Sequence, residues 1–249
     1  MARIGLMVGS GALAWDLGWE TAGGRDTAFG EASSALQRGH ASGHEIYALA
    51  RHGLPHRYAP HAVNYRANIR LLVDAGVEAV IALNTVGGIS PYAETEALLV
   101  PDQIIDYTWG RALSYHPDDD VHHIDFSEPY DARLRAGLLA AAERAGMSVH
   151  DGGVMGVTQG PRLETAAEIQ RMARDGCAMV GMTGMPEALL ARELDLPLAS
   201  LAMVVNPAAG LATRVIDLEE IRQASANAMS KVAKLLGVFF EDYSSLRAM

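Results

Sequence analysis

Lysine, cysteine and aromatic side chains are all scarce in this chain of 249 residues, and each shortage excludes a class of protein. Lysine occurs only at Lys231 and Lys234, and 20 Lys and Arg face 30 Asp and Glu, for a formal net charge of −10. No run of basic residues occurs anywhere. That excludes nucleic acid and an anionic membrane surface as partners, since both need clustered cations. A single cysteine, Cys177, cannot close an internal disulfide, so a reducing, cytoplasmic setting is expected. The apolar run Ile4–Val8 is far too short for a signal h-region or a membrane span. Gly-x-Ser-x-Gly elbows are missing, and with them any support for a serine hydrolase. What the chain does hold is aliphatic mass. Hydrophobic residues make up 49% although aromatics reach only 6%, so a sizeable core can be buried.

Short apolar runs ending in Gly or Ser alternate with helical spacing along the whole sequence. Strands are predicted at Ile4–Val8, Glu45–Ala50, Val77–Leu83, Leu98–Ile105, Gly153–Val157, Met179–Met182 and Leu198–Val205. Helices are predicted at Tyr65–Ala75, Ala132–Ala145, Leu163–Arg174, Met185–Glu193 and Leu218–Leu236, the last opened by Asp217 as N-cap. Continuous rather than alternating apolar strands indicate a sheet covered by helices on both faces. No linker, repeat or low-complexity stretch interrupts the pattern, so residues 1–249 read as one α/β domain. The polar stretch from Arg111 to Asp125 is the expected long loop.

Polar and glycine residues gather just beyond the strands, where α/β folds bind ligands. Four tips stand out: Gly9-Ser10-Gly11, Arg51-His52-Gly53, Asn84-Thr85-Val86-Gly87-Gly88 and Met182-Thr183. Glycine lets backbone N–H groups approach an anion, Ser and Thr add hydroxyl donors, and Arg offers a bidentate fork. Any one of these is explained by a turn; together they suggest a site for one phosphate. Gly9–Ala14 also fits a relaxed dinucleotide pattern, but no strand ends in an acid about 20 residues on. His116, His122 and His123 lie near three aspartates without the paired spacing of a zinc site, so a solvated loop is expected there and no metal. Cys177, among small residues, reads as a buried structural thiol.

Taken in order, these tips resemble the trimeric purine nucleoside phosphorylase and methylthioadenosine phosphorylase family, over nearly the whole chain. The resemblance is carried by Gly9-Ser10-Gly11, by Ala50-Arg51-His52-Gly53 with His56, and by Val63–Ile69. It continues through Asn84–Gly88, Asp102–Asp106, Glu128-Pro129-Tyr130, Gly160–Thr165, Gly181–Glu187 and the strand ending at Asn206. It implies a mixed central β-sheet flanked by helices, a homotrimer, and cleavage of purine nucleosides by inorganic phosphate as co-substrate, with no cofactor and no metal. It also implies roles: Ser10, Arg51, His52, Thr85 and Thr183 at the phosphate, His56 in support, and Met182 and Val86 against the ribose and base. His123 matches a position that reaches the neighbouring subunit's 5′ pocket.

Two positions set the expected base. In this family adenine-specific members carry aspartate where this chain has Asn206, and a small residue where it has Glu164. An amide can accept from a protonated N7 and donate to a 6-oxo group, and a carboxylate accepts from N1–H of a 6-oxopurine. Adenine would leave both unmet, at about 1–3 kcal/mol for each buried contact. Ala208 stands where the adenine branch has a second aspartate. The 5′ position just before the last helix, a histidine in ordinary oxopurine members, falls here on Val215 or Ile216, in a stretch shortened relative to the family. An apolar 5′ pocket with an oxopurine base site implies 5′-methylthioinosine. Inosine or guanosine, and methylthioadenosine, stand as alternative substrates, and non-catalytic nucleotide binding as an alternative of another class.

Overall fold

The computed structural model describes residues 1–9, 16–212 and 218–247. In chain order the strands and helices are β1 (Arg3–Val8), β2 (Glu20–Ala22), β3 (Asp26–Thr27), β4 (Gly30–Glu31), β5 (Leu36–Ala41), β6 (His44–Ala50), α1 (Tyr65–Asp74), β7 (Ala79–Gly88), β8 (Leu98–Val100) and β9 (Gln103–Asp106). There follow α2 (Ala132–Arg144), β10 (His150–Asp151), β11 (Val154–Val157), α3 (Ala166–Arg174), β12 (Cys177–Gly181), α4 (Glu187–Glu193), β13 (Leu198–Pro207) and α5 (Leu218–Arg247). No helix among the described residues is long and apolar enough to cross a membrane.

The central sheet is mixed, in the order β10-β8-β13-β7-β1-β6-β5-β2, with β12 joining β7 and β11 linking β12 to β9. Its middle strands β6, β1, β7 and β13 are parallel neighbours with near-continuous burial, as their unbroken apolar runs require. Helices α2 and α5 cover one face, where Leu138, Val232, Leu236 and Phe239 pack on Ile4, Ile81 and Leu201. Helices α1 and α4 cover the other through Ile69, Leu72, Leu190 and Ala191. The smaller α3 packs Ile169 and Met172 against Cys177 and Val180 of β12. The expected α/β architecture, mixed sheet included, is what forms.

Several boundaries differ from the sequence expectation, each for a local reason. The strand predicted at Leu98–Ile105 is two strands with different partners: β8 lies beside β10 and β13, and β9 beside β11. Pro101, lacking an N–H, separates them. The third helix starts at Ala166 rather than Leu163, because Thr165 and Glu168 form a capping box that fixes its first turn. Strand β5 was hidden by its polar composition; the two-residue turn Ser42-Gly43, with φ of 50° and 79°, folds it back on β6. The last helix runs on to Arg247.

Candidate active site

Strand β7 organises the site. From Ala79 to Ala82 it pairs with β1, and at Gly87 and Gly88 it pairs instead with β12, while β13 accompanies its other edge. The sheet therefore forks alongside Leu83–Val86, and a cavity of about 620 Å³ lies at the fork. That volume is in the range of small-ligand sites, roughly 300–1,000 Å³. Gly88 makes the convergence possible, since a Cβ there would sit 1.8 Å from the carbonyl oxygen of Ala93. The residues expected just beyond β7 and β13 thus lie within them: Thr85, Val86 and Gly87 in β7, Asn206 in β13.

The cavity brings together His52, His56, Thr85, Val86, Glu164, Met182, Thr183 and Asn206, residues that span more than half the chain. Ser10, Val215 and Ile216 lie outside the described residues. His123 is exposed and does not line this cavity. Arg51 does not line it either: it is buried behind the wall, gripped by both carboxylate oxygens of Glu187, one of them 3.0 Å from Nη2. Its Nη1 donates to the Leu83 carbonyl at 3.1 Å and lies 3.4 Å from where a Cβ on Gly9 would be. Arg51 thus stands at the edge of the tip Gly9-Ser10-Gly11. Three of its five N–H donors are engaged with described residues, and two remain.

Thr183 is oriented from behind. The Asn84 amide donates to Thr183 Oγ1 at 3.0 Å, and Ser200 Oγ donates to Asn84 Oδ1 at 2.9 Å, with all three residues buried. His52 Nδ1 faces the Tyr58 carbonyl at 2.8 Å, and since a carbonyl only accepts, the proton is on Nδ1. Burial and the Arg51 charge, with a smaller effect from His56, lower its pKa to about 4, so the ring is neutral with Nε2 as an acceptor. His56 stacks on it with ring centroids 4.4 Å apart.

The opposite wall carries the candidate base readers. Glu164 is half-buried, and Thr158 Oγ1 donates to its Oε1 at 2.6 Å. The Asn206 Nδ2 donates to the Pro207 carbonyl at 2.6 Å, which orients the amide and leaves Oδ1 as an acceptor. Ile221, near the start of α5, supplies an apolar side chain to the cavity.

Elsewhere, His116, Asp120 and His122 do cluster, with ligand atoms within 4.8 Å of one another, but His123 is not among them. The two imidazoles are stacked, centroids 3.7 Å apart and planes 22° apart, so one ion cannot lie in both ring planes. Cys177 is buried 3.8 Å from the Tyr107 hydroxyl, and burial raises its pKa, as suits a structural thiol. Sequence reasoning missed Asn84 and Glu187 as supports and gave Arg111 no role; their only signal was position, next to residues that carry the site.

One cavity at a fork in a mixed sheet thus gathers histidine and threonine side chains, an amide and a carboxylate, donors and acceptors suited to a small polar ligand. The chain belongs to the phosphorylase superfamily, whose family model matches residues 3–241. Among its relatives is the probable S-methyl-5'-thioinosine phosphorylase of Pseudomonas syringae pv. tomato, 54% identical over 213 residues, 85% of this chain and 87% of that protein. A 6-oxopurine nucleoside phosphorylase of Pyrococcus furiosus is 36% identical over 243 residues, 95% of this chain and 91% of its own. The methylthioadenosine phosphorylase of Schistosoma mansoni, solved in complex with adenine, shares the fold with a TM-score of 0.88 at 26% identity, over 100% of this chain and 96% of that one. The family, the fold and a phosphate-dependent pentosyltransferase activity agree with the expectation from the motifs.

Proposed function

We propose that this enzyme cleaves S-methyl-5'-thioinosine with inorganic phosphate, releasing hypoxanthine and 5-methylthioribose 1-phosphate. The observation that carries this reading is the pairing of Glu164 with Asn206 in one cavity whose α5 side is apolar Ile221. A phosphate oxygen bonds to C1′ while the C1′–N9 bond breaks, its electron pair passing to the purine. The proton of the monohydrogen phosphate ends on the departing base. Such an oxocarbenium-like path asks for positioning and charge stabilisation, and calls for no organic cofactor or metal.

Phosphate sits between Ser10, Thr85, Thr183, the two N–H groups of Arg51 that no described residue engages, and neutral His52, whose Nε2 accepts the phosphate O–H hydrogen bond. Glu187 holds Arg51 in place, and His56 backs His52. Asn206 Oδ1 accepts from N7–H as negative charge develops on the purine, and Glu164 accepts from N1–H. Met182 and Val86 pack on ribose and base. Val215, Ile216 and Ile221 surround the methylthio group, and His123 of a neighbouring subunit completes that pocket in a cytoplasmic homotrimer.

Methylthioinosine, methylthioadenosine and inosine offered at equal concentration, with and without phosphate, test the reading. Phosphate-dependent release of hypoxanthine from methylthioinosine is expected to dominate. A kcat/KM for inosine within about tenfold of that for methylthioinosine, roughly 1.4 kcal/mol, would overturn the apolar 5′ pocket. The relative named for methylthioinosine supports the same choice of substrate.

A further inference from the structure

Arg111 opens the polar stretch 111–125, and the substrate reading gives it no role. It is buried, and its guanidinium has no carboxylate partner among the described residues. Instead it donates to neutral oxygens on several segments. Nη2 reaches the carbonyls of Thr158 at 3.1 Å, Gln159 at 3.1 Å and Met182 at 3.0 Å. Nη1 reaches the Met185 carbonyl and the Tyr65 hydroxyl, the latter at 3.2 Å, and Nε reaches Gln159 Oε1 at 3.2 Å. Tyr65 in turn donates to the Pro60 carbonyl at 2.7 Å.

Of these acceptors Met182 lines the active-site cavity itself, and Thr158 and Tyr65 hold residues that do, Glu164 and Pro60. Thr158 hydrogen-bonds Glu164 through its side chain, Met182 precedes Thr183, and Pro60 lines the side near His56. We infer that Arg111 is a positioning residue that ties the base-reading wall at Thr158–Glu164 to the wall at Met182–Met185, so that base and phosphate are held in register. The planar fork suits this task, because one rigid group spans carbonyls whose spacing a flexible ammonium would not fix. Buried, and met among the described residues by neutral oxygens and the Tyr65 ring 5.2 Å away, the cation favours the arrangement that supplies every donor with an acceptor. This assignment rests on the phosphorolysis reading for its kinetic consequence, but not for the clamp itself.

Arg111→Lys tests it, with hydrogen–deuterium exchange and kinetics on the same preparation. The expected result is faster exchange in residues 158–165 and 182–186 together. With it, kcat/KM for methylthioinosine falls about 10–100-fold and the preference for methylthioinosine over methylthioadenosine narrows. Unchanged exchange in either segment would overturn the clamp, as would lost activity with the preference intact, the mark of general destabilisation. Gln159→Ala, which removes one side-chain acceptor and keeps the cation, carries the test if Arg111→Lys does not fold. It is expected to loosen both segments to a smaller degree, and wild-type exchange in both would count against the inference. Wild-type protein without phosphorolytic activity would instead sink the substrate reading and leave the exchange result standing.

Discussion

His52 couples folding stability to pH. Its pKa falls from 6.5 to about 4 through burial and the charge of Arg51, so the folded chain binds fewer protons than the unfolded one between those values. The stability that neutral His52 contributes is complete above about pH 6.5 and is lost as pH falls toward 4. Urea unfolding of the wild type and His52→Gln at pH 7 and pH 5 checks the sign: the wild type should lose more stability on acidification, and equal losses would show that His52 is not the linked group. Base choice also lives at this scale. Asn206→Asp with Glu164→Ser should move the kcat/KM ratio toward methylthioadenosine by about 10–100-fold, the worth of one or two buried contacts. No gain in relative adenine-nucleoside activity would mean these two side chains do not read the base. Both were visible in the sequence as residue types; that they share one cavity was not.

At the scale of elements, β7 is the strand on which the site depends, and Gly88 is its tightest point. Gly88→Ala drives a Cβ into the Ala93 carbonyl, a backbone atom that cannot rotate away. A loss of about 3 kcal/mol or more is expected, with activity falling in the fraction that still folds, because Gly87 and Gly88 set the pairing with β12 and β13. Thermal melting and single-point kinetics would decide; a wild-type melting temperature would mean that the Ala93 turn yields freely. The apolar runs of β1, β6 and β13 were legible because parallel central strands are buried on both faces. The fork was not. Periodicity does not say that β7 exchanges β1 for β12, and so the sequence placed Thr85–Gly88 beyond a strand that in fact contains them. Likewise Thr165 and Glu168 carried a readable capping box, yet apolar Leu163 drew the predicted helix start two residues upstream of the cap.

For the whole molecule, the net charge of −10 bounds the ligand more than it describes the site. A long polyanion is repelled, whereas the proposed site for a single phosphate needs only one arginine, hydroxyls and backbone N–H groups close by. His123 is exposed and does not line the cavity of its own chain, so its proposed role in a neighbouring 5′ pocket is a question of assembly. Light scattering should give a mass three times the 26.5 kDa of the chain, and His123→Ala should keep that mass while lowering kcat/KM for methylthioinosine about tenfold. A monomer of full activity would remove His123 from the proposed 5′ pocket.

Composition, apolar runs and ordered motifs by themselves determined the α/β class, the family and the chemical types present at the site. Those properties depend on which residues occur and on their local spacing. Only the tertiary structure decided that Arg51 stands behind the wall in the grip of Glu187, that Asn84 and Ser200 aim Thr183, and that Arg111 joins separate loops. Each is a contact between residues far apart in the chain, and its geometry exists only once β7 has forked and the helices have closed over the sheet.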